Sequence, residues 1–176
     1  MSLSYDIPAL ETERLWLRAW RQQDLEQYAI FCANEATARF LGGVCNRQDA
    51  WRRVAMFLGH WALRGFGNWA IEEKATGRWV GYSGLWAPEG WPEPEVMWGI
   101  AADCQGRGYA TEAGRCARDF AYRQLGWRTL VSYIAPANAP SQGVAHRLDA
   151  AHERDIELRD HLVGVHRHPG PEALQS

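Results

Sequence analysis

The sequence predicts a three-layer α+β (α/β) fold in which helices cover both faces of one mixed sheet. Two kinds of segment support this prediction, those with alternating apolar residues and those with apolar residues three and four positions apart. They follow one another in the order β-α-α-β-β-β-α-β-α-β-β, which favours a sheet with helices on both faces. The 176 residues suit one domain, so we take residues 1–176 as a single domain.

Seven segments are predicted to be strands. The first, RLWLRAW (14–20), places Leu15, Leu17 and Ala19 on one face. NWAIEEK and WVGYSGLW flank the turn ATGR, in which Gly77 is the turn residue of a hairpin. The remaining strands are EVMWGIA (95–101), RTLVSYIA (128–135), HERDIELRD (152–160) and LVGVHRH (162–168).

Four segments are predicted to be helices. DLEQYAIFCAN starts with Asp24 as its N-cap, and RQDAWRRVAMFLGHWALRG ends at Gly65 or Gly67. A third helix runs to about Leu125 and carries small residues that bring it close to a sheet. NAPSQGVAHRL is the fourth, with Asn138 as its cap. The buried stripe expected on the second helix consists of Trp51, Val54, Ala55, Leu58, Trp61 and Ala62.

Composition argues against several classes of function. The formal net charge of -2 argues against a general nucleic-acid binder, and no apolar run is long enough to span a bilayer. The start, MSLSYDIPALETERL, lacks the basic and apolar regions of a secretory signal, and the tail PGPEALQS is expected to fray. The four widely spaced cysteines form no C-x-x-C pair, so we interpret them as reduced thiols. We therefore expect a cytoplasmic protein that binds neither nucleic acid, membrane nor metal.

The stretch CQGRGYATEA (104–113) lies between a predicted strand and a predicted helix. The first N–H groups of a helix have no partner within it, and together with the helix dipole they form an anion site. Gly106 and Gly108 let this backbone approach a phosphate without a Cβ in the way, and Arg107 adds positive charge. The string fits neither a P-loop nor a G-x-G-x-x-G fingerprint. A pyrophosphate cradle and a plain tight turn both remain open on the loop alone.

The segment QGRGYA (105–110) resembles the Q/R-x-x-G-x-G/A motif of the GNAT superfamily of N-acetyltransferases. TERLWLRAW, GYSGLW, GYATEA and PANAPSQGVAHRL resemble more narrowly its branch of ribosomal-protein N-acetyltransferases. The likeness covers about residues 11–169. It implies a mostly antiparallel sheet of six to seven strands that splays apart between the fourth and fifth strands. The loop residues that it assigns to the pyrophosphate of acetyl-CoA are Gln105, Gly106, Arg107, Gly108, Tyr109, Ala110 and Thr111.

The resemblance implies direct transfer of an acetyl group from acetyl-CoA to a primary amine in a ternary complex. The amine is a protein N-terminus or a small molecule, and no metal takes part. Pantetheine is implied to lie against the backbone of Trp98, Gly99 and Ile100, with one amide facing the thioester oxygen. Asn138 matches an asparagine that touches pantetheine, and a plain N-cap is its alternative role. Because relatives are commonly dimers, a second copy of the chain is also an expected partner.

Two side chains are candidates for the chemistry. Many relatives carry a tyrosine that protonates the thiolate, but the matching position here is Ala145. Ser141, in the first turn of the same helix, is the substitute, unless it only bonds first-turn N–H groups. Glu95 matches a glutamate that faces the acceptor side, and apolar neighbours are expected to raise its pKa. An exposed strand-end glutamate is the alternative. The weaker candidates for the base are Glu89, Glu93, His60 and His146.

Three further features bear on the site. The glutamates of PEGWPEPE are candidates to attract a cationic amine. His166 and His168 share a strand face, but a metal site needs a third ligand. Asp149 stands where relatives usually have glycine, and we expect a differently shaped helix end because aspartate tolerates the left-handed conformation less well.

Two other functions compete with acetyl transfer. A non-catalytic acetyl-CoA-binding or sensing domain would keep the cradle, and the missing tyrosine motivates this alternative. A structural partner protein with a relic loop would bind no cofactor at all.

Overall fold

The structure is a computed structural model, and it describes residues 6–174. None of its helices within that range combines the length and apolarity needed to cross a bilayer. The helices are α1 (Asp24–Ala33), α2 (Glu35–Ala38), α3 (Arg47–Arg64), α4 (Tyr109–Arg123) and α5 (Ala139–Arg147). The strands are β1 (Leu10–Glu11), β2 (Leu15–Arg18), β3 (Asn68–Glu73), β4 (Trp79–Trp86), β5 (Glu95–Ile100), β6 (Val131–Ile134), β7 (Ala151–Leu158) and β8 (His161–Arg167).

One mixed sheet contains the eight described strands, in the order β1-β2-β3-β4-β5-β6-β8-β7. Every neighbouring pair is antiparallel except β5 and β6, so the predicted mixed, mostly antiparallel sheet is confirmed. The predicted six to seven strands were too few, because β1 has only two residues and shows no periodicity. It is held at the sheet edge by the pairs Leu10↔Leu17 and Glu11↔Trp16.

The sheet splays apart between β5 and β6, as expected. These parallel strands share a single register pair, Glu95↔Val131. One step further, the Ser132 Oγ donates to the Val96 carbonyl oxygen at 2.7 Å. Beyond this point no described strand pairs with the free edge of β5, and a gap opens towards its carboxyl end.

Helix α4 lies on one face of the sheet, whereas α1 lies on the other. Successive strand residues point to opposite faces, and neighbouring residues of β5 separate the two sides. A Cβ on Gly99 would meet Phe31 of α1 at 3.1 Å, whereas Trp98 lies against Gly114 of α4. Of the small residues expected on one side of α4, Gly114, Ala117 and Ala121 are buried and Ala110 is half-buried.

An aromatic cluster fills the space between the sheet and helices α1 and α3. Its rings pack mainly edge to face, with centroids 5.1 to 6.3 Å apart. Much of the tryptophan content is therefore core. The members of the cluster are Trp20, Tyr28, Phe31, Phe57, Trp79, Tyr82 and Trp86.

The predicted stripe of α3 was wrong in part, because Trp61 is buried and Val54 packs on the core as predicted, whereas Trp51, Ala55 and Leu58 are exposed. The structure buries Ala50, Phe57, His60 and Trp61, while Trp51 is 54% exposed. Apolar residues occur on two sides of this helix, so periodicity alone did not identify the side that packs. The aromatic cluster packs on the side with Phe57, and Trp61 packs on Trp69 of β3.

A buried ion pair joins β2 to the start of α1. Arg18 donates to both carboxylate oxygens of Asp24, at 2.8 and 2.9 Å, and also to Glu72 of β3 at 2.7 Å. Arg18 is 6% exposed and Asp24 is 2% exposed. The N-cap of α1 is Gln23 and not the predicted Asp24, because this carboxylate is the partner of Arg18 instead.

The described part of the tail is attached to the domain. The Tyr122 hydroxyl donates to the Pro169 carbonyl oxygen at 2.9 Å, and Arg128 pairs with Glu172. The start of the tail thus has contacts with the domain, and its fraying stays a prediction. Residues 175 and 176, which were included in that prediction, lie outside the described residues.

We expect Arg18→Met to lower the free energy of unfolding by about 3–5 kcal/mol, because it leaves the Asp24 carboxylate buried without its partner. Arg47→Met is the matched control, since the pair Arg47–Glu26 is exposed on both sides and should change stability by less than about 1 kcal/mol. Chemical denaturation measures both. Equal losses in the two variants would contradict the importance of the buried pair.

Candidate active site

The glycine-rich loop connects the open end of β5 to helix α4. Gly106 and Gly108 have φ angles of 75° and 82°, in the left-handed region that favours glycine. Gly108 is the N-cap of α4, and no side chain caps the helix. The first N–H groups of α4 are therefore left for a ligand or water, which suits an oxyanion group such as a phosphate.

Three contacts fix the shape of this loop. Gln105 Nε2 donates to the Ile100 carbonyl oxygen at 3.1 Å, which holds the loop against the end of β5. Arg14 Nη1 donates to the Arg107 carbonyl oxygen at 2.8 Å. The Arg14 guanidinium also pairs with Glu112 in the first turn of α4 at 2.7 Å. The segment before β2 thus braces the N-terminus of α4.

Sequence reasoning missed this brace. Thr12 Oγ1 also donates to Glu112, at 2.6 Å. Burial opposes ionisation of Glu112, but the hydrogen bonds from Thr12 and Arg14 outweigh it and lower the pKa of the carboxyl group. Both segments belong to stretches that resemble the family, TERL and GYATEA, but nothing in either stretch indicates that they meet.

Arg107 and Tyr109 both reach Glu73 at the end of β3. The Tyr109 hydroxyl donates to the Glu73 carboxylate, and Arg107 Nη1 lies 3.7 Å from it. Hydrogen bonds from Thr76 and Tyr109 lower the pKa of Glu73. The Arg107 side chain remains half exposed, so its charge is close to the loop and still accessible from solvent.

The open edge of β5 presents peptide groups to the gap that no described strand pairs with. The Ala101 N–H donates across to Val80 of β4, so residues of odd number in β5 direct their peptide groups towards β4. The Pro94 and Val96 carbonyl oxygens bond towards β6. By the same alternation, the peptide groups of Trp98 and Ile100 face the gap, and of these the Ile100 carbonyl oxygen already accepts the Gln105 side chain.

Gly99 was expected to contribute its backbone together with Trp98 and Ile100. Its own peptide group faces β4, where Gly99 pairs with Tyr82. Its lack of a side chain matters instead, because a Cβ there would lie 2.5 Å from Tyr82 Cε1. Gly99 therefore lets the aromatic cluster approach the strand.

The first turn of α5 brings Asn138 and Ser141 to the other side of the gap. Asn138 caps the helix, and its Oδ1 accepts the Ser141 N–H at 3.3 Å. Ser141 Oγ accepts a hydrogen bond from the Trp98 indole N–H, also at 3.3 Å. Asn138 thus has the cap role, whereas the Ser141 hydroxyl bonds the Trp98 indole and no first-turn N–H group. A contact of either side chain with a cosubstrate stays a prediction.

Glu95 is buried where β5 and β6 part, and is not an exposed strand-end residue. It is 5% exposed. The Trp91 indole N–H donates to Oε1 at 3.0 Å, and the Tyr133 N–H donates to Oε2 at 3.4 Å. Burial raises the pKa of Glu95 to about 8, although these two hydrogen bonds oppose the shift. A carboxyl group that titrates near neutral pH is suited to proton transfer.

The weaker candidates for the base have other partners. Glu89 pairs with Arg64, and Glu93 pairs with Arg154 and Arg167. Hydrogen bonds from Arg167 lower the pKa of Glu93. The expectation that these loop glutamates attract a cationic amine loses its basis, because arginines already balance their charge.

The histidines singled out in the sequence lie in different environments. His60 is buried and stacked on Trp86. Its Nδ1 lies 2.7 Å from the Phe66 carbonyl oxygen and its Nε2 accepts the Ala87 N–H, while burial lowers the pKa of the ring. His146 is exposed. Within residues 6–174, His166 and His168 do not join a group of three metal-ligating side chains.

Asp149 adopts the left-handed conformation, with φ of 61°. Its N–H donates to the His146 carbonyl oxygen at 2.9 Å. The aspartate therefore performs the turn for which relatives usually have glycine. The end of α5 keeps the left-handed turn that we expected the substitution to change.

Comparison with known proteins decides the family. The family model described as "Acetyltransferase (GNAT) domain" matches residues 14–151. The chain belongs to the GNAT acetyltransferase family. A solved acetyltransferase from Agrobacterium tumefaciens str. C58 is 32% identical, with a TM-score of 0.82, and the match covers 96% of this chain and 98% of that one. This assignment confirms the predicted superfamily and the prediction that the protein is an acetyltransferase enzyme.

Two further relatives are informative in narrower ways. The uncharacterized protein YkkB of Bacillus subtilis (strain 168) is 27% identical over 105 residues. That match spans 58% of this chain and 60% of YkkB, which is less than two thirds of its length. RimL, a ribosomal L7/L12 alpha-N-protein acetyltransferase in complex with coenzyme A, is 16% identical with a TM-score of 0.76 over 92% of this chain and 98% of RimL. At that identity, the likeness to RimL concerns the fold alone.

We expect the free energy of unfolding of Glu95→Gln to rise relative to that of the native protein as the pH rises from 5 to 8. The pKa of Glu95 in the folded state, about 8, lies above its ordinary value in the unfolded chain. Protonation therefore stabilises the fold fully at low pH, and this contribution is lost as the pH rises through 8. The glutamine side chain does not ionise, so the variant does not lose this stability as the pH rises.

Denaturation of both proteins at several pH values measures the difference in the free energy of unfolding. Glu157→Gln, on the exposed side of β7, is the matched control and should follow the native protein. A difference between Glu95→Gln and the native protein that stays constant with pH would contradict the buried, neutral Glu95.

Proposed function

We propose that this protein transfers the acetyl group of acetyl-CoA directly to a primary amine while both substrates are bound. The glycine cradle at the uncapped start of α4, next to the open edge of β5, is the observation that carries the proposal. The cradle suits a pyrophosphate, and an edge of unpaired peptide groups suits an extended chain of amides. Acetyl-CoA supplies both features together with the acetyl group.

The cradle fits the pyrophosphate of this cosubstrate in three respects. Gly106 and Gly108 hold the left-handed turns without a side chain above the loop, and Gly106 has open space where a Cβ would stand. The N–H groups of Tyr109, Ala110 and Thr111 start the helix without intrahelical partners. Arg107 lies beside them with a half-exposed guanidinium. We assign the pantetheine chain to the peptide groups of Trp98, to the Ile100 N–H and to the side chain of Asn138.

For each step of the acetyl transfer we assign a group of this chain that takes part in it. Ionised Glu95 accepts a proton from the ammonium or the attacking amine, directly or through a water. The amine nitrogen forms a bond to the thioester carbon, and a peptide N–H of the open edge of β5 stabilises the oxyanion. The C–S bond breaks, and its electron pair leaves with the sulfur. Ser141 is the group that we assign to the sulfur.

The acceptor belongs to one of two classes, a protein N-terminal amine or a small amine. RimL supports the first class, since its own name describes α-N-acetylation of a protein. AAC(6')-Ib supports the second, because it is an aminoglycoside acetyltransferase with the same fold at 13% identity. We further propose one domain over the whole chain, a cytoplasmic location that suits four free thiols, and a homodimer.

The second candidate function is a non-catalytic acetyl-CoA-binding or sensing domain. Ala145, in place of the tyrosine of many relatives, is the observation that favours it. Both candidates bind acetyl-CoA, but they differ in turnover. Release of coenzyme A in the presence of a panel of amines supports transfer, whereas tight binding with no release from any amine supports sensing.

We expect acetyl-CoA at about a hundred times its Kd to stabilise the protein by about 2.7 kcal/mol, and Gly106→Ala to weaken this binding about tenfold. A Cβ at Gly106 strains the left-handed loop and displaces the amides of the cradle. Thermal shift and calorimetric titration measure the two effects, with ATP and NAD at equal ionic strength as ligand controls.

Gly126→Ala is the matched control for this experiment. Gly126 also has a positive φ, 69°, and open space around its missing Cβ, but it follows α4 at the opposite end of the helix. Gly126→Ala should lower the free energy of unfolding about as much as Gly106→Ala does and leave the affinity for acetyl-CoA unchanged. A folded protein that acetyl-CoA does not stabilise would refute the proposed function.

We expect Glu95→Gln to lower kcat/KM about a hundredfold while the Kd of acetyl-CoA stays the same. In the native enzyme, kcat/KM should rise with pH up to about 8, the pKa of Glu95, because only the ionised carboxylate accepts a proton. The variant should lose this limb on the same acceptor. Identical pH profiles of the two enzymes would remove Glu95 from the mechanism.

A further inference from the structure

The Trp98 ring occupies the side of the gap that faces α4 and α5. A Cβ on Gly114 of α4 would lie 3.3 Å from Trp98 Cε3. On the α5 side, the ring packs against the small cluster of Ile134, Ala145 and Ala150. Ala145 is 0% exposed. The ring thus shares its packing site with the position at which many relatives have a tyrosine.

The Trp98 indole N–H makes a specific contact from this site. It donates to Ser141 Oγ at 3.3 Å, while the Ser141 N–H is taken by Asn138. A serine hydroxyl has one hydrogen to donate and two lone pairs to accept with. Because the indole occupies a lone pair, the hydroxyl hydrogen is left to point away from the ring. Ser141 is half buried at the edge of the gap.

We propose that Trp98 is a positioning residue that aims the Ser141 hydroxyl at the sulfur of the departing coenzyme A. This inference rests on the proposed function. It adds a role for the side chain of Trp98, a residue to which the proposed function assigns only a backbone contact. Trp98 and Ser141 together serve where a tyrosine at position 145 has no room, because the indole packs against Ala145. The pair makes this chain capable of thiolate stabilisation without that tyrosine.

The hydrogen bond acts at the moment of cleavage. As the C–S bond breaks, its electron pair stays on sulfur, and the Ser141 O–H donates a hydrogen bond to the thiolate. The proton of the attacking amine goes to Glu95 and not to the sulfur. No proton leaves Ser141, so the step needs no further acid. A hydrogen bond to an ionised group is stronger than one to a neutral thioester sulfur, so it favours the products of cleavage.

The test is a double-mutant cycle of Trp98→Phe and Ser141→Ala. Trp98→Phe keeps an aromatic ring but removes the N–H donor. In single-turnover transfer we expect it to lower the rate about fivefold without raising the KM of acetyl-CoA. In the Ser141→Ala background, the same change should lower the rate less than about twofold, because the target of the indole is gone.

A second readout does not depend on turnover. Titration of coenzyme A and of desulfo-coenzyme A is compared at about pH 9, above the ordinary thiol pKa of about 8.5. We expect both single variants to lose about fivefold in affinity for coenzyme A and nothing for the analogue without sulfur. Trp61→Phe is the control, since its indole N–H donates to the Asn68 carbonyl oxygen and should leave both affinities unchanged.

The outcomes separate the two claims. If Trp98 and Ser141 are coupled in the affinity for coenzyme A but no acetyl group is transferred, the proposed function is refuted and the positioning of Ser141 is supported. If acetyl transfer occurs but the two substitutions have additive effects on its rate, the positioning is overturned. Equal losses of affinity for coenzyme A and for desulfo-coenzyme A also overturn it. Absence of coenzyme A binding in folded native protein overturns both.

A spectroscopic measurement covers the case in which Trp98→Phe does not fold. Among the indole N–H signals of nitrogen-15-labelled protein, the Trp98 signal should shift in Ser141→Ala, because its acceptor is removed. Coenzyme A should shift it further than desulfo-coenzyme A does. A Trp98 signal that is indifferent to both changes overturns the proposal.

Discussion

The separation of β5 from β6 after a single pair is the constraint on which the site depends. Parallel strands that continued to pair would satisfy each other's peptide groups and leave no room between them. Here Glu95 and Val131 pair once, and the edge beyond them stays open. The glycine loop starts from the end of that edge, and α5 starts from the end of β6. The gap therefore gathers the cradle, the peptide edge and the serine of α5 in one place.

Alternation along β5 assigns different chemistry to the two faces of the sheet. Glu95 and Gly99 have the parity of the aromatic face, while Trp98 points to the helices α4 and α5. The proposed base is thus separated from the proposed sulfur site by the strand itself. This separation is physically useful, because an amine and a thiolate can be handled from opposite sides of one thioester without their groups neutralising each other.

Periodicity predicted most of the fold, and the motif predicted the position of the loop. The sequence could not predict β1, because two residues carry no pattern, nor the packed side of α3, because that helix is apolar on two sides. It placed Glu95 correctly on a strand, but burial by Trp91 and Tyr133 depends on how distant segments meet. The contacts Trp98–Ser141 and Arg14–Glu112 were likewise hidden, since residues 43 and 98 positions apart share no local signal.

The brace between Arg14 and Glu112 has a consequence for how the protein is made. These residues are 98 positions apart in the chain, so Arg14 is synthesised well before Glu112 and waits for α4 before the brace can form. At roughly 5–20 residues per second, the wait is about 5–20 s. β2 gains its second sheet partner earlier, when β3 is made, but the brace has no anchor until α4 follows. The segment with Thr12 and Arg14 therefore takes up its final contacts late, although it ends as a support for the cradle.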